Sequence, residues 1–337
     1  MGEAAATRFR FSIHGQCVEL TCQAPEILEA IHHALGEFAI PAPASAGLGA
    51  ISGSIRPYDA EEVVKHLSAT ATRVAGTSEL LEIYEQDERF WRVDDRWGIC
   101  ELNLIKGQFR SWILDRTAAI RNKNTIVDNA VMWPLSQLLR PRGLSLVSAA
   151  AVVREGWGAM VLSPFSIEPE LRVLTRAGWK LVGQSWTAIR EERGNIVMLP
   201  MPGSLERSTT MSMGGVTFKQ APRVDLAAEF FGCRAERAGL DAILLVAPGR
   251  RPLPDLRAVM PGNALAALRR DWPIAELHPH RRHGQLMARI AQRTPVFDIQ
   301  LSRNARDMLA IVELARQYRP PTPRVTIHVN THARQAA

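Results

Sequence analysis

The sequence predicts an α/β protein, α+β overall, in which a smaller N-terminal α+β domain precedes a larger α/β domain. Three observations carry this expectation. Strand-like runs with turn signals between them crowd residues 8–114. After residue 144, short apolar runs of the buried-strand kind, Ala159–Leu162 and Ala242–Val246, alternate with helical periodicities. Between the two patterns, Pro141-Arg142-Gly143 breaks the chain. The domains are therefore read as 1–140 and 141–320, with a tail over 321–337.

Taken in order, Arg8–Thr21 reads as a hairpin turning at His14-Gly15. Pro25 opens a helix over Glu26–Phe38 with Ile27, Ile31, Leu35 and Phe38 on one face; His32 and His33 fall on its surface. Ala50–Ile55 is a strand, and Asp59 caps a helix over Ala60–Leu67. Leu80–Gln86, Phe90–Val93, Ile99–Leu104 and Phe109–Leu114 are strands of a mostly antiparallel sheet. Asn124–Leu139 is helical, with Ile126, Ala130, Trp133 and Leu138 as its apolar face.

The second half begins with Leu144–Val153, read as one small-apolar strand, then the turn Arg154–Gly158 and the strand Ala159–Leu162. Ser163–Glu168 is a loop. Pro169 suits a helix's first turn, Leu171, Leu174 and Ala177 recur at helical spacing, and Gly178 stops the helix before the strand Lys180–Val182. Further on come strands at Thr187–Arg190, Ile196–Met198, Ala242–Val246 and Pro295–Leu301. Helices are expected at Leu205–Met211, Met260–Arg270, Leu286–Ala291 and Ala305–Tyr318.

Composition excludes several classes. The 337 residues suffice for two cores, and 46% hydrophobic with 22% charged residues fits an ordinary globular chain. No apolar run approaches the roughly 20 residues that span a bilayer, and the first residues lack a signal-peptide pattern. The expectation is a cytoplasmic protein with no membrane partner. Cys17, Cys22, Cys100 and Cys233 are read as thiols rather than a disulfide framework. The net charge of +7 rests on dispersed arginine, so a nucleic-acid partner is not expected.

Strand, loop, helix, strand over 159–182 is the framework on which a P-loop is hung. The order Ser148-Ala149-Ala150-Ala151-Val152-Val153, Gly156-x-Gly158, apolar strand, loop, helix, Ala177-Gly178-Trp179-Lys180-Leu181-Val182-Gly183 is similar to the bacterial HPr kinase/phosphorylase-like family, related to phosphoenolpyruvate carboxykinase. It particularly resembles the HPr-kinase-related proteins that carry an extra N-terminal domain. Pro248-Gly249-Arg250-Arg251-Pro252, directly after an apolar strand, resembles a second segment of that family. The resemblance implies a C-terminal HPr kinase/PEP carboxykinase-like P-loop domain.

It also implies where a nucleotide would sit, and there the chain departs from the pattern. Family members read His-Ala-Ala where this chain has Ser148-Ala149-Ala150. They carry Gly-x-x-Gly-x-Gly-Lys-Ser/Thr where it has Ser163, Ser166, Glu168, Pro169 and Glu170 on the way to Leu171, and Asp-Asp where it has Gln184-Ser185. A phosphate cradle needs glycines to aim backbone N–H groups, a lysine and a metal-holding acid. None of these stands at the matching positions, Glu168 and Glu170 oppose phosphate, and Lys180 lies beyond the helix.

Three expectations follow. The first is a catalytically degenerate kinase relative, a pseudokinase, acting as a regulatory or protein- and peptide-binding scaffold without a cofactor. The second is a noncanonical ATP-dependent serine kinase or phosphate binder in which Arg250 and Arg251 replace the P-loop lysine. In that case Mg-ATP is the cofactor, Glu191 and Glu192 are the nearest acids, and Ser204, Ser208, Thr209 and Thr210 are positional hydroxyls. The third is an assembly subunit forming a homo-oligomer. His278–His283, with Arg281 and Arg282, is read as an exposed basic segment rather than a metal site.

Overall fold

The computed structural model describes residues 6–39, 50–66, 71–78, 81–86, 88–94, 97–114, 126–184, 186–201, 231–247, 252–271 and 281–318. Ser185, Arg250, Arg251, the hydroxyls at 204–210 with their expected helix, His278–His280 and the tail lie outside these residues.

Among the described residues, the first sheet holds β1 (Thr7–Ile13), β2 (Gln16–Cys22), β3 (Ile51–Pro57), β4 (Thr72–Ser78), β5 (Leu81–Gln86), β6 (Arg89–Asp94), β7 (Gly98–Asn103) and β8 (Gln108–Ile113). Their order is β1-β2-β3-β8-β7-β6-β5-β4. The first hairpin turns where expected, with His14 at φ 48° and Gly15 at φ 86°, the two left-handed residues of a tight hairpin turn. Helix α1 (Pro25–Leu35) buries Ile27, Ile31 and Leu35, and leaves His32 exposed with its ring edge-on to Phe9. It forms the crossover that makes β2 and β3 parallel. The pairing of β3 with β8 is also parallel, so the sheet is mixed, with antiparallel pairs elsewhere. Asp59 accepts backbone N–H bonds from Glu61 and Glu62 at 2.9 and 3.2 Å, starting α2 (Ala60–His66) as its sequence requires. Strand β4 has no counterpart among the expected elements.

Helical structure resumes at Ile126, widens into a π turn over Asp128–Met132 and continues as α3 (Trp133–Leu139). The π turn leaves the Ala130 carbonyl to accept the Ser111 hydroxyl at 2.8 Å. The expectation of a single apolar face is corrected here: the helix is buried all round, Ser136, Gln137 and Arg140 included. Those polar groups bond to one another and to the helix backbone. The Ser136 hydroxyl donates to the Trp133 carbonyl, the Gln137 amide donates to Ser136, and Arg140 Nη1 donates to Gln137 Oε1 at 3.0 Å. Arg92 of β6 reaches this helix from the first sheet, lying over the Trp133 ring and donating to Asn129 at 2.7 Å. The largest apolar cluster runs across position 140, from Phe11 to Val296.

After a 3-10 turn at Arg140–Arg142, Gly143 at φ 80° delivers the chain to β9 (Ser145–Val147). Then follow β10 (Ala150–Arg154), β11 (Trp157–Leu162), α4 (Glu168–Arg176), β12 (Lys180–Gly183), β13 (Thr187–Glu192), β14 (Asn195–Pro200), β15 (Ala238–Gly239), β16 (Ala242–Val246), β17 (Asp255–Ala258), α5 (Pro261–Asp271), α6 (Arg281–Arg293), β18 (Val296–Gln300) and α7 (Asp307–Gln317). The single strand expected over Leu144–Val153 is two. The chain bends at Ser148-Ala149, where the Thr187 hydroxyl donates to the Ala149 carbonyl at 2.9 Å. Strand β9 joins the sheet β15-β14-β13-β9, and β10 joins β12-β10-β11-β16-β18-β17.

In the six-stranded sheet, β11, β16 and β18 are parallel neighbours. Their alternate side chains divide between two clusters. Met160, Leu162, Ile243, Leu245 and Val296 pack with Leu268 of α5 and Leu286, Met287 and Ile290 of α6. Ala159, Val161, Leu244, Phe297 and Ile299 pack with Leu171 and Leu174 of α4 and Ile311 and Val312 of α7. Helices cover both faces, which is why β16 reads as an unbroken apolar run. The protein is mixed α and β, with an α/β second half.

Candidate functional site

The register of the six-stranded sheet brings three of the expected positions to one end. Ala150 of β10 lies opposite Val161 of β11, and Ala151 lies opposite Gly183 of β12. Ser148, Ser163 and Gln184 therefore leave the sheet at the same edge, where the parallel strands end. This is where open α/β sheets place ligands.

The loop there is closed on itself. The Ser163 hydroxyl donates to the Phe165 carbonyl at 2.7 Å and faces the Phe165 N–H at 3.3 Å. The Ser166 hydroxyl lies 3.5 Å from the Glu168 N–H, at the outer limit of a hydrogen bond. Glu168 and Pro169 are the first two residues of α4. Pro169 has no N–H to offer, and Glu168 is ion-paired with Arg172 one turn on. Glu170, in the same first turn, is 1% exposed. The positive end of the helix dipole thus meets the chain's own carboxylates.

The acids considered as a base lie elsewhere. In β13, Thr187 sits opposite Val147 while Glu191 and Glu192 are at the far end, pairing Ile196 and Asn195. Glu191 is bonded to Arg289, and Glu192 to Arg190 and Arg237 at 2.5 and 2.6 Å. Hydrogen bonds from these two arginines hold the Glu192 carboxyl below the usual carboxylate range. Neither acid faces the 163–170 loop.

A second site was not foreseen. A cleft of about 290 Å³ is lined by Arg140, Gly143, Ser145, Glu191, His283, Gln285, Leu286 and Arg289. His283, expected in an exposed segment, is 3% exposed, with Nδ1 3.0 Å from the Ser145 hydroxyl. The reason is that α6 starts at Arg281 rather than Leu286. His283, Leu286, Met287 and Ile290 then recur at i, i+3, i+4 and i+7 on the inner face. That spacing was present in the sequence, hidden by the charged neighbours. Beside the cleft, Arg142 donates to the Leu138 carbonyl at 2.8 Å, and burial lowers its pKa. Among the described residues, no three His, Cys, Asp or Glu side chains cluster as a metal site would need. No described helix is long and apolar enough to cross a membrane.

No protein-family model matches the chain, and no curated protein matches it. Among solved structures, it is similar to the Hpr(Ser) kinase/phosphatase from Coxiella burnetii, with 14% identity and a TM-score of 0.30 over 51% of this chain and 88% of that one. A likeness at that level assigns no activity, substrate or site residue.

Proposed function

We propose that this protein is a catalytically degenerate relative of the HPr-kinase-like proteins, acting as a regulatory scaffold that binds a protein or peptide rather than a nucleotide. One observation carries the reading. At the end of β11, where a phosphate cradle would open, the first turn of α4 holds Pro169 and a buried Glu170. Phosphate there would meet a position without an N–H and a carboxylate in low dielectric, both unfavourable. Phosphoryl transfer depends on positioning and charge stabilisation, and this turn supplies neither.

The test is thermal denaturation of the full chain with ATP, ADP or pyrophosphate, each with Mg²⁺. A ligand present at 100 times its Kd stabilises by about 2.7 kcal/mol, or roughly 4 °C for a chain of this size. The expected result is no saturable shift at millimolar nucleotide. A saturable Mg-ATP shift that survives Arg289→Gln overturns the reading. If such a shift is lost on replacing Arg250 and Arg251 together, the arginine-based phosphate site is favoured instead.

A further inference from the structure

The cleft at the other end of β9 combines groups that the reading above does not use. Ser145 opens that strand, whereas the loop considered for nucleotide lies beyond its far end, past Ser148. Arg140 reaches the cleft from the end of the buried helix and is itself 3% exposed. Gln137 accepts from Arg140 Nη1 at 3.0 Å, which offsets part of the cost of taking a guanidinium that far out of water. The floor is the Ser145 hydroxyl with the His283 imidazole, and Arg289 stands on the same helix as His283, further along it. Two guanidinium groups and one carboxylate, Glu191, leave the lining net positive whatever the charge of His283.

We propose that this cleft binds a phosphate dianion, either free or as the phosphate group of a small monoester. Donor-bearing side chains line it from three elements: the end of the buried helix, the start of β9 and α6. Such a spread suits a tetrahedral anion better than a planar carboxylate, which one guanidinium satisfies side-on. The pair Arg289–Glu191 guards the mouth, with side chains 38% and 31% exposed. A pair that open to solvent contributes about 0–1 kcal/mol, so an arriving dianion takes Arg289 from Glu191 at small cost. Leu286 offers an apolar wall for an organic moiety. At about 290 Å³ the cleft matches the lower end of small-molecule pockets, which suits a compact phosphorylated compound and not a nucleoside triphosphate.

The experiment is calorimetric titration of the full chain with inorganic phosphate, with glycerol 3-phosphate and with sulfate, at ionic strength held constant with chloride. Saturable binding of phosphate is expected. Arg289→Gln and His283→Asn should each weaken it about tenfold or more, since each removes a charge-assisted or buried donor. Arg237→Gln, a surface change outside the cleft, should leave it unaltered. Tighter binding of the ester than of phosphate identifies the organic source; equal or weaker binding identifies free phosphate. Arg140→Met probes the deepest donor, but the deciding variant is Arg289→Gln, whose partly exposed side chain can be replaced without opening the core. No saturable heat at tens of millimolar, or phosphate binding unchanged in Arg289→Gln, overturns the proposal. A Mg-ATP response that survives Arg289→Gln bears on the loop after β11 and leaves this result independent.

Discussion

Gly158 locks the two sheets of the second half together, and replacing it with alanine shows how tightly. Its N–H donates to Asp241 Oδ2 at 2.8 Å, and its carbonyl accepts the Asp241 N–H at 2.8 Å. A Cβ at this position would lie 2.2 Å from the Gly239 carbonyl oxygen and 2.7 Å from Met198 Cε. The methionine can turn aside. The Gly239 carbonyl cannot move alone, because β15 is paired to β14 and Leu240 donates to the Ile196 carbonyl at 3.0 Å. Opening the contact past 3.0 Å therefore draws Asp241 away from Gly158. Overpacking costs about 1–3 kcal/mol, and a weakened hydrogen bond to a charged acceptor adds about 1.5–3 kcal/mol at full loss. The expected destabilisation is about 3–5 kcal/mol, a Tm lowered by about 4–7 °C in a scanning calorimeter. Gly156→Ala is the control. It sits at φ 79°, and a methyl group there would meet nothing within 4 Å, so only left-handed strain of roughly 1 kcal/mol is expected. Equal melting of the two variants would refute the steric reasoning.

Two further outcomes follow from buried titratable groups. Burial pushes the His14 imidazole below its ordinary value of 6.5, with Arg190 in the same direction and the Pro200 carbonyl and Glu192 opposing. Its Nε2 lies 2.6 Å from the Pro200 carbonyl, which can only accept, so the neutral ring donates there. A lowered folded-state pKa means the contribution is complete above 6.5 and fades as pH falls through the folded value. Denaturant unfolding across pH 7 to about 5 should show the parent losing more stability than His14→Gln, and parallel curves would remove the argument. Burial also raises the Cys100 thiol to about 12, while Cys17 and Cys233 are partly exposed. At pH 8 a thiol reagent should label Cys17 and Cys233 in the native protein and reach Cys100 only on unfolding; mapping by mass spectrometry would decide, and equal labelling rates would contradict the burial.

Much of this protein was legible in the chain because its signals are local. The His14-Gly15 turn, Pro25 and Asp59 at helix starts, Gly178 after α4 and the apolar run Ala242–Val246 all report on backbone geometry or burial within one element. The lack of glycine and lysine over 163–170 likewise needs no structure, although the closure of the Ser163 hydroxyl onto Phe165 does. Periodicity cannot say which sheet a strand joins, and the split of Leu144–Val153 depends on Thr187, 38 residues from Ala149. Nor can it place a polar residue inside without knowing its partner. Arg140 and Gln137 lie inside bonded to each other, and His283 lies inside where Ser145, 138 residues away, meets its ring. Local sequence determined most of the elements and the lack of glycine and lysine over 163–170. Only the tertiary structure, through hydrogen bonds between residues distant in the chain, brought Arg140, Ser145 and His283 to one cleft.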